Sequence, residues 1–197
     1  MLAGVIEAKT ALRQRMNSLP SADWQPLLDA FLALPEVKAA NTIMLFYGVG
    51  REPDTSELID ALWEQGKTVV LPRCLPKRRM EARWILPGTK LVYSAYGIPE
   101  PDEECPVVER DTIDLILVPN LCCDKQGYRL GHGAGYYDRY LAGYSGETVS
   151  LCPEDWLQEQ LPRDEFDLPV GLVLTETGEW RGAEAPRRLR NVLPLIE

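Results

Sequence analysis

Three glycines alternate in Gly131-His132-Gly133-Ala134-Gly135, and Asp138 follows three residues after the last of them. Glycines spaced in this way let the backbone take φ > 0 and approach a ligand without a Cβ clash. Their N–H groups, together with those of a following helical turn, can line a concavity for an anion. A carboxylate one turn further on suits Mg²⁺, which is commonly held by one or two carboxylates plus phosphates and waters. Each feature also has a plainer reading. The loop alone is compatible with a tight strand-to-helix turn, and Asp138 with a first-turn aspartate favoured by the helix dipole. No Gly-Lys-Ser/Thr follows, so this is not a Walker A loop, and the spacing differs from the dinucleotide G-x-G-x-x-G. Arg129 and Arg139 flank the loop, placed either to balance phosphate charge or to face solvent.

The flanking sequence says how such a loop would be held. Asp114 to Pro119 is a continuous apolar run, as expected of a central parallel strand covered on both faces. Tyr136 to Leu141 reads as the helix that follows the loop, which would put the loop where open α/β sheets bind ligands, at the carboxyl ends of strands. A helix is predicted over residues 5–16, with Val5, Ala8, Leu12 and Met16 forming its apolar stripe. Lys9 and Arg13 lie four apart on a ridge beside that stripe. Like charges at this spacing repel by roughly 0.2–0.5 kcal/mol; a bound polyphosphate would reverse the cost, and a solvated basic face is the alternative.

Further helices are signalled by Asp23, Pro26 and the Trp24, Leu27, Leu28, Phe31 and Leu32 pattern, and by a capping box at Asp54 to Glu57 closed by Gly66. Strands are predicted at Ile43 to Tyr47, Lys67 to Leu71, Thr148 to Cys152 and Leu172 to Thr175, with a short one at 83–86 and a helix near 154–161. This alternation implies an α/β fold of three layers, a mostly parallel sheet with helices on both faces. Residues 1–197 read as one domain, with 178–197 as an irregular tail.

Composition narrows the classes. A chain of 197 residues is long enough to bury a sizeable core, and a net charge of −9 argues against a nucleic-acid binder. Basic clusters at Lys77-Arg78-Arg79 and Arg187-Arg188 still leave room for a small anionic ligand. The five cysteines, 74, 105, 122, 123 and 152, contain no C-x-x-C pair, and His132 is the only histidine, so no zinc pattern is present. No stretch approaches the ~18 apolar residues of a membrane helix. The reading is a soluble protein of a reducing cytoplasm, without membrane or nucleic-acid partners.

With these segments in hand, Gly127-Tyr-Arg-Leu-Gly-His-Gly-Ala-Gly-Tyr-Tyr-Asp-Arg139 closely resembles the signature of the 5-formyltetrahydrofolate cyclo-ligase family, also called methenyltetrahydrofolate synthetases. Leu115 to Pro119, Asp124-Lys125-x-Gly127, Lys9-x-x-Leu12-Arg13, Glu52-x-x-Thr55, Leu71-Pro72 and Gly97-Ile-Pro-Glu-Pro101 are also similar to that family, in its order, over about 9–176. The resemblance implies an ATP- and Mg²⁺-dependent ligase that cyclises 5-formyltetrahydrofolate to 5,10-methenyltetrahydrofolate, releasing ADP and phosphate through a phosphorylated formyl intermediate.

Carried over by residue, it implies an ATP site at Lys9, Thr10, Ala11, Leu12 and Arg13 with Arg129, Leu130, Gly131, His132, Gly133, Ala134, Gly135, Tyr136 and Tyr137. Tyr47 and Glu52, with His132 to Tyr136, would meet the folate. A carboxylate suits the pterin's donor edge, because it accepts hydrogen bonds from adjacent N–H groups. Asp138 and Asp167 would hold magnesium. The family's Pro-His-Asp motif is altered here, with Phe166 in place of histidine, and Asn120 and Cys122-Cys123 depart from its small and apolar residues. These thiols are expected to pack rather than react. A non-catalytic nucleotide-binding module and a sugar-phosphate enzyme on a similar sheet are the rival readings. Lys77 to Arg79 are candidates to hold a polyglutamate tail.

Overall fold

The computed structural model describes residues 2–182. Helix α1 (Leu2–Ser18) is followed by α2 (Gln25–Ala33) and α3 (Pro35–Ala39), then by strand β1 (Thr42–Met44), helix α4 (Ser56–Glu64) and strand β2 (Thr68–Leu75). Next come β3 (Arg79–Ile85), β4 (Leu91–Tyr93), β5 (Pro99–Pro101), β6 (Val107–Val108), β7 (Leu115–Leu117), β8 (Cys122–Cys123) and β9 (Arg129–Leu130). Helix α5 (Tyr136–Leu141) and strands β10 (Glu147–Leu151), β11 (Leu172–Leu174) and β12 (Glu179–Arg181) complete the order.

The main sheet has eight strands in the order β12-β11-β10-β7-β1-β2-β3-β6. Pairing from β11 through β10, β7 and β1 to β2 is parallel, and the edges β12, β3 and β6 are antiparallel. Alternate residues of each central strand enter opposite cores, as Ile43 and Met44 do. One core joins Ile43, Val69, Leu115, Leu117 and Leu172 to Phe31, Val37, Leu58 and Leu62 of α2, α3 and α4. The other joins Met44, Val70, Ile116 and Val173 to Met16 of α1 and Leu141 of α5. This is the expected three-layer, mostly parallel α/β architecture.

The chain leaves β1 to one side, through α4 to β2, and later places β7 on the other side of β1. The strand order therefore reverses between β1 and β7, which is where open sheets form a ligand crevice beyond their carboxyl ends. Asp114 pins the two strands at their other ends, its Oδ2 accepting the Asn41 and Thr42 N–H groups at 2.9 and 3.0 Å.

Several expectations are corrected. Residues 154–161 hold a single 3-10 turn, Glu154–Trp156, not a helix. Proline at 153 and 162 brackets the stretch, and its backbone bonds outward: Gln158 N–H to the Cys123 carbonyl at 2.8 Å, Leu161 N–H to Asp124 at 3.0 Å. Strand β3 is longer than 83–86 because it zips along β2 from Val69↔Ile85 to Leu75↔Arg79. The capping box is not made. Asp54 accepts the Ser56 N–H at 3.0 Å in a local turn, and buried Thr55 instead donates to the Phe46 carbonyl at 2.6 Å and accepts from Gly48 N–H at 3.0 Å. The tail expected to be irregular contributes β12, paired with β11; Arg187-Arg188 and the remainder lie outside the described residues.

At the end of α4, Gly66 takes φ +73°, with its N–H on Trp63 O at 2.8 Å and Lys67 N–H on Leu62 O at 2.9 Å. That is the Schellman stop the sequence signalled. Lys77 and Arg78, at the exposed β2–β3 turn, take φ of 62° and 56°.

Candidate functional site

The glycine loop runs from β9 into α5, beyond the carboxyl end of β7. Gly133 and Gly135 take φ of +101° and +71°, so two of the three alternating glycines use the freedom their residue type supplies. Arg139 folds back and donates through Nη1 to the Ala134 and Gly135 carbonyls at 3.1 and 2.9 Å, bracing the loop from its own helix.

Helix α1 comes to this loop from the other end of the chain. Arg13 Nε donates to the Gly131 carbonyl at 2.8 Å. One turn earlier, Lys9 Nζ meets Asp164 Oδ2 at 2.9 Å and Asp167 Oδ2 at 2.5 Å. Burial by itself would lower the Lys9 pKa; the bonds from Asp167 and then Asp164 outweigh it and hold the ammonium above its usual value. The other members of the basic motif differ. Leu12 packs against the core as an anchor, Ala11 is exposed, and the Thr10 hydroxyl turns back to the Ile6 carbonyl at 2.9 Å.

Arg129, whose side chain is 4% exposed, pairs with Asp138 at 3.1 Å and lies over the Tyr137 ring at 5.6 Å. Asp138 Oδ1 also takes the Leu168 N–H at 3.5 Å, which brings it to the residue next to Asp167. The two acidic candidates thus share one neighbourhood. Each has an oxygen, Oδ2 of Asp138 and Oδ1 of Asp167, with no hydrogen bond among the described residues. Among the described residues no group of three or more His, Cys, Asp or Glu side chains converges as a metal cage. A site of two carboxylates with spare oxygens fits an ion that takes its remaining ligands from phosphate and water. Phe166, at the motif's histidine position, is 71% exposed and offers Asp164 only its N–H, at 2.9 Å.

From β1 come Tyr47 and Glu52. Thr55 fixes the turn between them through Phe46 and Gly48, and a Cβ on Gly48 would stand 1.8 Å from the Pro53 carbonyl oxygen. Glu52 Oε2 accepts the Val49 N–H at 3.0 Å, and Oε1 lies 3.6 Å from His132 Nε2. Glu52 therefore faces the glycine loop across the crevice. Tyr47 is half-buried against the core of α2 to α4. Leu130 buries its side chain in the other core and its carbonyl accepts the Leu121 N–H at 2.7 Å, so it supports the loop from below.

The Tyr137 hydroxyl is buried with no hydrogen-bond partner among the described residues, and burial pushes its pKa well up. Tyr136 hydrogen-bonds with Tyr96 of the β4–β5 hairpin, oxygens 3.3 Å apart, and its pKa is pushed up to about 12 chiefly by that bond. Cys122 and Cys123 are fully buried; burial raises the Cys122 thiol to about 12, so these thiols pack and do not attack. Asp124 is 0% exposed and accepts the Gln126, Tyr128 and Leu161 N–H groups at 2.9, 3.0 and 3.0 Å. It shapes the turn before β9 and does not face the crevice. Asp164 and Tyr96 are the site neighbours that sequence reading missed.

The geometry defines an open α/β protein in which a basic helix, a glycine loop and a loop glutamate gather at the β1–β7 switch point. The family model for 5-formyltetrahydrofolate cyclo-ligase matches residues 7–176, and the chain belongs to that family. It is 31% identical over 179 residues to 5-formyltetrahydrofolate cyclo-ligase of Escherichia coli K12, covering 86% of this chain and 98% of that one. With the Mycolicibacterium smegmatis cyclo-ligase it shares 34% over 184 residues, covering 86% and 92%. Aquifex aeolicus 5,10-methenyltetrahydrofolate synthetase, solved by NMR, superposes with a TM-score of 0.75 at 28% identity, covering 98% of this chain and 96% of that one.

Proposed function

We propose that the chain is a 5-formyltetrahydrofolate cyclo-ligase, converting 5-formyltetrahydrofolate and ATP to 5,10-methenyltetrahydrofolate, ADP and phosphate. The carrying observation is the approach of Arg13 to the glycine loop at Gly131, with Glu52 across the crevice near His132. All four residues lie within 7–176, the span that the family model matches, and the family's named members support the reading.

In this reading the loop amides around 131–135 and the cations Lys9 and Arg13 hold the polyphosphate. Glu52 takes the pterin's N–H groups and so turns the formyl group toward the loop. The formyl oxygen attacks the γ-phosphorus, the bond to the β–γ bridging oxygen breaks, and ADP leaves. The formyl carbon, now carrying a phosphate leaving group, is attacked by the N10 lone pair. Phosphate departs with the C–O electron pair, N10 loses its proton, and the ring is closed. The protein aligns the reactants and neutralises charge, with no covalent nucleophile and no general base at His132.

Asp138 and Asp167 would hold Mg²⁺ through the oxygens they leave unbonded. When bound, the ion would offset phosphate charge. Lys77, Arg78 and Arg79, exposed at the β2–β3 turn, are proposed to meet a polyglutamate tail. The five free cysteines suit a reducing cytoplasm, and among the described residues no helix is long and apolar enough to cross a membrane.

The test is the rise in methenyl absorbance when 5-formyltetrahydrofolate is added with Mg-ATP. It should appear only with both, and Lys9→Ala should reduce it at least a hundredfold. No rise in the wild-type protein, or full activity in Lys9→Ala, sinks the assignment.

A further inference from the structure

Lys9 is held by two carboxylates, and they are not equivalent. Asp164 spends both oxygens inside the protein, Oδ2 on Lys9 at 2.9 Å and Oδ1 on the Phe166 N–H at 2.9 Å. Asp167 uses only Oδ2, shared between Lys9 at 2.5 Å and the Asp164 N–H at 2.7 Å. All three side chains are mostly buried, at 12%, 19% and 18% exposure, so their charges act at close range with little screening.

We propose that Asp164 makes the site select metal-complexed over metal-free nucleotide. This rests on the proposed function above, with phosphate at Lys9 and a divalent ion at Asp167. Two carboxylates against one ammonium leave this trio with a net negative charge, one turn from Arg13, beside the path of the polyphosphate. A divalent ion arriving with the nucleotide engages the unbonded side of Asp167 and cancels two phosphate charges. Asp164, both of whose oxygens already accept a bond inside the protein, stays as the counter-charge of Lys9 and keeps the ammonium in place. Metal-free nucleotide lacks that compensation and meets both carboxylates at full charge. Repulsion scales with the ligand's charge, so removing the Asp164 charge must favour the metal-free form more than the complexed one.

The test is calorimetric binding of β,γ-methylene ATP without folate, once with excess MgCl₂ and once with EDTA, to the wild type, Asp164→Asn and Asp164→Glu. Asparagine can still accept the Phe166 N–H, so the turn is kept while the charge is lost. The ratio of metal-free to magnesium Kd should fall about tenfold in Asp164→Asn and stay within about threefold of wild type in Asp164→Glu. An unchanged ratio in Asp164→Asn overturns the proposal while leaving the nucleotide site intact. A wild type that binds neither form removes the proposed function as well. If Asp164→Glu loses selectivity as fully as Asp164→Asn, charge is not the cause and the proposal fails.

Discussion

The Arg13 guanidinium donates to the Gly131 carbonyl at 2.8 Å, and its Cζ lies 3.3 Å from where a Cβ on Gly133 would stand. A helix from the amino terminus and a loop near residue 133 thus form one unit. Gly133→Ala should disturb it twice, by placing an L-residue at φ +101° and by pushing on Arg13. The backbone cost is about 1–2 kcal/mol. We expect cyclo-ligase kcat/KM to fall at least a hundredfold while the melting temperature falls by only a few degrees. Near-normal kcat/KM would mean the loop does not need its close contact with α1.

Glu52→Gln should separate folate binding from nucleotide binding. Glutamine can still accept the Val49 N–H that Glu52 Oε2 accepts at 3.0 Å, so the loop after β1 should keep its shape. Loss of the charge weakens a bond to the pterin by about 1.5 kcal/mol or more. The KM for 5-formyltetrahydrofolate should rise at least tenfold, with the KM for ATP within about twofold. The reverse pattern would remove Glu52 from the folate side.

The sequence announced the centre of the fold better than its edges. Leu115 to Leu117 is apolar without alternation because strands flank it on both sides and cores on both faces. Strands β4 and β5 were hidden, since Pro99 and Pro101 interrupt the period-two pattern of β5, and both strands of that two-stranded sheet are edges, which tolerate proline. The helix expected near 154–161 failed for a tertiary reason: Trp156, ending the 3-10 turn, and Leu161 are buried, and the chain between them bonds to β8 and Asp124. At the site, Lys9, Glu52 and the glycine loop were legible as separate motifs. Their meeting was not, because Lys9 and its acidic partners are 155 and 158 residues apart.

Asp124→Ala tests an architectural role within a family-like motif. Its removal leaves three backbone N–H groups without their acceptor, one buried and two part-buried, each at a cost of up to about 3 kcal/mol. Urea denaturation should show a loss of at least about 3 kcal/mol. A loss under about 1 kcal/mol would show that water or a neighbour replaces the carboxylate.

Alkaline stability should depend on Cys122. Burial raises its thiol from 9.0 to about 12, so between those values the folded state keeps a proton that the unfolded chain releases. The native state then binds more protons than the unfolded one, and stability falls as pH rises through that window. Wild type should lose more denaturation free energy than Cys122→Ala between pH 8 and 11. Parallel curves for the two proteins would show that the thiol does not titrate differently on unfolding.

Helix α1 carries Lys9 and Arg13, yet among its described side chains Met16 is the one fully buried apolar group and Ile6 is 54% exposed. Its early turns are fastened to the body by the very charges that the nucleotide is proposed to engage. Amide hydrogen exchange along 6–12 should accordingly be quick in the free protein and slow sharply when magnesium nucleotide binds, making this segment a built-in reporter of occupancy that works without turnover.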